Sequence, residues 1–283
     1  MKNKKILITG GAGFIGTNLA KELLKNNEVI ILDKEKSEIG KSIVTDVTKK
    51  DWFEQVRSVD YIFHLAAIVG VDYVSEHPEE TEKNEIEGIK NIIDFAKKYC
   101  KEKLIYSSTS SVYESKEYPT SYNKAKAFSE EYLHKSGLRY SIIRYFNVYG
   151  KYQKEKMVVS RFINLALKNE PLVIFMDGNQ TRDFTFVDDA VNATILIAES
   201  NKTNSQTIDI GAGNEIKIVD LANLILDLTK SKSQIVFGKP YINRENFEVV
   251  SRRCDPSKLK VLTGFECKTV LRDGLKNMIR GIV

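Results

Sequence analysis

The first half of the chain alternates two hydrophobic rhythms. Short apolar runs, "KKILIT", "EVIILD", "VDYIFHLAA", "KLIYSST" and "YSIIRYFNVYG", read as buried strands rich in β-branched and aromatic residues. Between them lie stretches of helical period. "FIGTNLAKELLKNN" follows the first run, "EGIKNIIDFAKKYC" places Ile89, Ile92, Ile93 and Ala96 on one face, and "YNKAKAFSEEYLHKSG" is stopped by Gly137. Strict alternation of this kind predicts a parallel, doubly wound α/β sheet. After Gly150 the rhythm loosens: "RFINLALKN" and "DLANLILDLTK" read as helices, "PLVIF", "QTIDIG" and "QIVFG" as short strands. This last third reads as a smaller mixed α/β lobe against the carboxyl edge of the sheet, where ligands sit in such folds.

Composition changes the picture little. A chain of 283 residues can bury a proper core, and no apolar run approaches the length of a membrane span. The apolar part of "MKNKKILITGG" is too short for a signal peptide. The net charge of +5 comes from scattered lysines, with no block of like charge to form a nucleic-acid groove. Cys100, Cys254 and Cys267 are odd in number and lack a C-x-x-C spacing, which argues for a reducing compartment and against a disulfide scaffold. His64, His77 and His134 are too scattered to suggest a metal site.

"ITGGAGFIG" puts Gly10, Gly13 and Gly16 directly after a strand and at the opening of a helix. In that context the glycines predict a dinucleotide site. Gly10 serves the tight turn, Gly13 the close approach of a pyrophosphate, and Gly16 helix–strand packing, with the helix N-terminus facing the phosphates. Asp33 closes the second strand, where a carboxylate accepts from both ribose hydroxyls and repels a 2′-phosphate, so NAD is expected over NADP. Asp46, followed by Val47, is placed to accept from an adenine amino group or simply to turn the chain.

Tyr122 and Lys126 share one helix face at i, i+4 spacing; Tyr113 and Tyr118 have no such lysine. A free phenol, with a pKa near 10, is a poor base at neutral pH. An ammonium at roughly 5 Å favours the phenolate by about 3 kcal/mol at an effective dielectric of about 20. The lysine alone falls short, and the pair together with a cationic nicotinamide predicts a base poised near neutrality. Any of four hydroxyls, on Ser108, Thr109, Ser110 and Ser111, can stand beside it.

The order TGxxGxxG, strand-end Asp, "HLAA" (64–67) and YxxxK resembles the short-chain dehydrogenase/reductase superfamily. "RYFNVYG", "GNQTRDFTFVDD" and "DIGAGN" resemble its extended branch, the NAD-dependent epimerase/dehydratase family acting on nucleotide sugars, over nearly the whole chain. The resemblance implies a Rossmann-type domain over 1–147 plus about 183–212, and a nucleotide-sugar lobe over about 148–182 plus 213–283. It implies Thr109 as the third catalytic member beside Tyr122 and Lys126. Phe14, Ile15, Leu65, Ala66, Ala67 and Ser107 are implied as further cofactor contacts, with Lys126 also on the nicotinamide ribose.

For the substrate it implies Asn84, Ser110, Ser111, Asn147, Arg182 and Arg244. Their plain alternatives are a helix-surface asparagine (Asn84), a strand-end cap (Asn147), a local pair with Asp183 (Arg182) and a solvated loop residue (Arg244). Dehydrating relatives carry Asp-Glu where Ser110-Ser111 stand, and decarboxylating ones a Glu in the segment. The serines therefore point to oxidation at C4 and hydride return, an epimerisation of a UDP-sugar. A 4,6-dehydratase, a net oxidoreductase and a non-catalytic NAD(H)- or RNA-binding protein are the alternatives. Arg252 falls where some epimerases keep a residue gating sugar size, and an arginine there suits an acidic sugar. The resemblance also implies a cytoplasmic homodimer through roughly 84–99 and 122–136, with Phe95, Phe128 and Tyr132 available either for contact or for the core.

Overall fold

The computed structural model describes residues 1–238 and 249–282. The first half runs β1 (Lys5–Thr9), α1 (Phe14–Leu23), β2 (Glu28–Asp33), β3 (Lys41–Val44), a short α2 (Phe53–Val56), β4 (Val59–His64), α3 (Val71–Glu76), α4 (Pro78–Tyr99) and β5 (Cys100–Thr109). A 3-10 turn over Ser110–Glu114 leads to α5 (Ser121–His134) and β6 (Tyr140–Tyr145). The second half supplies β7 (Val148–Tyr149), α6 (Val158–Leu167), β8 (Leu172–Phe175), β9 (Thr181–Asp183), β10 (Thr185–Phe186) and α7 (Val187–Glu199). It ends with β11 (Gln206–Ile210), β12 (Glu215–Lys217), α8 (Ile218–Thr229), β13 (Ile235–Gly238), α9 (Ser257–Thr263) and α10 (Leu271–Arg280).

Seven strands form one parallel sheet in the order β11-β6-β5-β4-β1-β2-β3. Chain order reverses at β1, which lies between β2 and β4, and this opens the crevice where ligands bind in open α/β sheets. The strand period of two sends Ile6 and Ile8 to one face, with Leu19 of α1 and Val191 of α7. Leu7 goes to the other face, with Ile89 and Ile92 of α4 and Leu133 of α5. Burial on both faces is why these strands read as continuous apolar runs.

A third core joins Tyr149, Phe162, Ile174, Leu221 and Leu275 in the second lobe. The expected single strand "YSIIRYFNVYG" divides instead. Phe146 N–H still donates to Ile210 O at 2.9 Å, and then the chain leaves the sheet and Val148–Tyr149 pairs with Thr185–Phe186. The segment 257–267, which the sequence division puts in the lobe, packs Leu259, Leu262 and Phe265 into the sheet's core. Among the described residues no helix is long and apolar enough to cross a membrane.

Candidate active site

The glycine loop is fixed by backbone geometry. Gly10 has φ +72°, and a Cβ there would stand 2.6 Å from Ala66 N; one on Gly16 would stand 2.2 Å from Gly10 O. Gly13 is the N-cap of α1, whose first turn has no acidic residue and whose cap makes no side-chain hydrogen bond. The helix therefore turns unclaimed N–H groups and its positive end toward an anion. Asp33 accepts from Ala12 N–H at 2.9 Å and from Glu35 N–H at 3.1 Å, tying the end of β2 to the loop.

Asp46 accepts from Thr48 N–H and Oγ1, both at 2.9 Å, and pairs with Lys34 at 3.0 Å. Burial raises its pKa, but these contacts outweigh it and hold the carboxyl below its ordinary value. Val47 is buried and fills the core under α4. Leu65 N–H donates to Thr9 O at 3.0 Å and Ala66 N–H to Thr9 Oγ1 at 3.4 Å, so 65–67 continue β4 along the crevice wall. A cradle that Cβ atoms would fill, a free helix N-terminus and a strand-end carboxylate fit a bound dinucleotide.

Two strands away, β5 delivers Ser107 and Thr109 to the same edge, about 10 Å from the loop by strand spacing. Thr109 caps the 3-10 turn, accepting from Ser111 N–H at 3.2 Å, and its Oγ1 lies 3.1 Å from Ser111 Oγ. Ser110 is buried and Ser111 partly so. Thr120 and Asn123 form a reciprocal capping box that starts α5 next to this turn. The ring of Tyr122 keeps some exposure, while its oxygen is enclosed by protein. Lys126 is buried, donates to Ser107 O at 2.8 Å and lies 5.9 Å from the centre of the Tyr122 ring.

The electrostatics around Tyr122 include a charge that the sequence reading left out. Burial pushes the phenol well above its ordinary value, Glu85 pushes it the same way, and only the nearby Thr109 hydroxyl pulls it down. Besides the burial, the Lys126 ammonium nearby is matched by Glu85, whose Oε2 is 3.0 Å away. Glu85 also accepts from Tyr106 O–H at 2.5 Å. Sequence reasoning missed this carboxylate. The available signal was its position one helical turn before Ile89, on the apolar stripe of α4.

Glu114 was missed as well. It ends the turn that begins at Ser110 and holds Arg252 through both of its oxygens, with the Nε contact at 2.9 Å. The segment thus carries a carboxylate after all, three residues beyond the serines. On the opposite flank of the turn Tyr113 donates to Asp209 at 2.7 Å under the Arg144 guanidinium, which binds Glu130.

The other expected substrate residues are spread along the boundary between the lobes. Asn147 follows β6, and its Oδ1 is buried with no hydrogen-bond partner among the described residues, as suits a ligand-binding group. Arg182 Nη1 donates to Thr181 O at 2.7 Å and Val249 O at 2.8 Å. Asp183, fully buried, accepts from the backbone N–H of Ala212, Gly213 and Cys254 and knits the lobe to the sheet edge. Asn84 is buried on α4 and not on its surface. Arg244 lies outside the described residues. Phe95 belongs to the core with Trp52 and Phe53, whereas Phe128 and Tyr132 are exposed on α5.

Comparison with known proteins places this geometry. A model of the NAD dependent epimerase/dehydratase family matches residues 6–211. The chain is 37% identical to a UDP-N-acetyl-alpha-D-glucosaminuronate decarboxylase of Bacillus cytotoxicus, covering 98% of this chain and 97% of that protein. Its fold is similar to a UDP-glucose 4-epimerase of Thermotoga maritima crystallised with UDP-glucose (29% identity, 98% of each chain, TM-score 0.90). It is also similar to a UDP-glucuronic acid 4-epimerase of Bacillus cereus in complex with UDP-glucuronic acid and NAD (28% identity, 99% of this chain and 100% of that one, TM-score 0.87).

Proposed function

This chain belongs to the NAD dependent epimerase/dehydratase family, and from that premise we propose that it oxidises C4 of a UDP-linked sugar and inverts that centre. The observation that most supports the reading is the placement of Thr109, Tyr122 and Lys126 on the sheet edge shared with the glycine loop. Gly10, Gly13, Phe14, Ile15 and Gly16 would hold the pyrophosphate of NAD, Asp33 its ribose, and Asp46 and Val47 its adenine. Leu65, Ala66, Ala67 and Ser107 would line the path to the nicotinamide, which supplies the acceptor and later the donor of a hydride. Tyr122 takes the proton of the C4 hydroxyl while Thr109 holds that oxygen in line. Lys126 offers its remaining N–H to the nicotinamide ribose. Ser110 and Ser111 face the sugar and Asn84 supports the tyrosine; Asn147, Arg182 and Arg244 hold the diphosphate. A homodimer through α4 and α5 is part of the proposal, supported by the exposed, stacked rings of Phe128 and Tyr132 at 5.9 Å.

One observation favours a second reading, decarboxylation of an acidic sugar. Arg252 is held against the catalytic turn by a carboxylate, Glu114, which a sugar carboxylate could replace. A 4-keto uronate is a β-keto acid and loses carbon dioxide with no added acid, so the serine pair does not oppose it. Purified protein should be offered UDP-glucose, UDP-glucuronate and UDP-N-acetylglucosaminuronate, with products read by mass and NMR. Epimerisation keeps the mass; decarboxylation loses carbon dioxide; dehydration loses water. Tyr122→Phe should cut turnover by about 10²–10⁴, and Arg252→Met should raise KM for an acidic sugar about tenfold while sparing a neutral one. Full activity in the Tyr122 variant, or no turnover of any UDP-sugar by the native chain, contradicts the reading.

A further inference from the structure

Glu85 is 3% exposed on α4. A carboxylate that deep is costly unless paired and hydrogen-bonded. Here Tyr106 O–H donates to Oε1 at 2.5 Å, and Oε2 meets Lys126 at 3.0 Å and has no hydrogen-bond partner besides that ion pair. Lys126 donates one N–H to Ser107 O at 2.8 Å and meets Glu85 Oε2 as a charge pair at 3.0 Å, which leaves donor capacity for a ligand. The titratable groups around the carboxylate are Lys126 and Tyr122 on α5, Tyr106 on β5 and His64 on β4. Burial and the Lys126 charge push His64 down to about 3, so it is neutral. On α3, Asp72, Tyr73 and Glu76 are exposed, as are Glu82 and Lys83 on α4 itself, where Glu87 is half-buried.

Opposite charges 3.0 Å apart act on a third group as a short dipole, so most of the ammonium's field at Tyr122 is cancelled. We propose that Glu85 is a positioning residue for the Tyr122 base: it anchors Lys126 against β5 and balances its charge, so that the phenol stays neutral until a cationic ring is bound beside it. The inference rests on the reading of Tyr122 as the acid–base group. It gives that group the acidity each half-reaction needs. With oxidised cofactor present, the cationic nicotinamide tips the balance and Tyr122 can accept the sugar's proton. With reduced, neutral nicotinamide the phenol would keep that proton, and it would give it to the ketone oxygen as the hydride goes back and the ring regains its charge. The proton and the hydride leave the sugar together and come back together, so no outside oxidant or reductant is needed.

The test is a titration of tyrosines labelled with ¹³C at Cζ, with the Tyr122 resonance assigned by its loss in Tyr122→Phe. Without cofactor and with NADH, native Tyr122 should remain protonated to at least about pH 10. With NAD its ionisation should move down by at least about one pH unit. Glu85→Gln should produce a downward move of similar size with no cofactor, and Glu85→Asp should restore the native behaviour in part. A merely structural Glu85 would change thermal stability and leave the titration alone. Ionisation of native Tyr122 near neutral pH without cofactor, or an unchanged titration in Glu85→Gln, overturns the proposal. If Glu85→Gln does not fold, Glu85→Asp decides: with the carboxylate drawn back from Lys126 the cofactor-free ionisation of Tyr122 should move part of the way down, and an unchanged titration overturns the proposal. None of these titrations involves a sugar, so an error about the substrate leaves them intact, whereas turnover surviving in Tyr122→Phe removes the functional reading itself.

Discussion

The two halves of the crevice are built by different means. The glycine loop is a backbone object: Gly10 needs its positive φ, Gly16 its lack of a Cβ, and α1 its bare N-terminus. The catalytic turn is held by side chains from distant parts of the chain. Arg252 reaches Glu114 across 138 positions, Asp209 reaches Tyr113 across 96, and Glu85 reaches Lys126 from a neighbouring helix. A loop of the first kind can only be blocked or left open. A turn of the second kind can be retuned by one charge, and that is where members of one family have room to differ in chemistry.

The contrast sets the size of the expected effects. The largest falls on the charge-built side. Lys126→Met leaves Glu85 buried without its cation and should destabilise the protein by about 3–5 kcal/mol. Urea unfolding checks this, and adding Glu85→Gln should recover much of the loss through coupling within the pair. If the single and double variants are equally unstable, the lysine contributes by packing and not by charge. A smaller effect is expected from Gly16→Ala. Its new Cβ must push Gly10 O away from 2.2 Å, which costs about 1–3 kcal/mol. The same shift deforms the cradle, so NAD affinity measured by calorimetry should fall while the Tyr122 titration keeps its native form. Equal damage to both halves from either variant would break the distinction.

The same contrast explains what could be read from the sequence. Local spacing carried the glycine loop, Asp33 and the Tyr122–Lys126 pair, because each depends on neighbours within a turn or a strand. Alternation of continuous apolar runs with helical stretches carried the parallel sheet. Glu85 and Glu114 were not readable in this way, and Arg252, singled out by the resemblance, was not readable as the partner of Glu114, since nothing in a local window says that two charges meet. Glu85 interrupts the Ile89–Ile92–Ala96 stripe with a charge, and a carboxylate at such a position signals a buried partner. The charge that matches Lys126 lies on another helix and is not legible from the Tyr122–Lys126 spacing. The packing of Leu259 against the sheet is likewise a tertiary contact that no local window shows.

The central claim is that hydride leaves C4 of the sugar and comes back to it within one site. Incubating the protein with a UDP-sugar deuterated at C4, in ordinary water, tests it directly. Product that keeps the deuterium at C4, with inverted configuration or with carbon dioxide lost, is the predicted result. Product carrying solvent hydrogen at C4 would show that the carbon was deprotonated without a hydride carrier and would contradict the account.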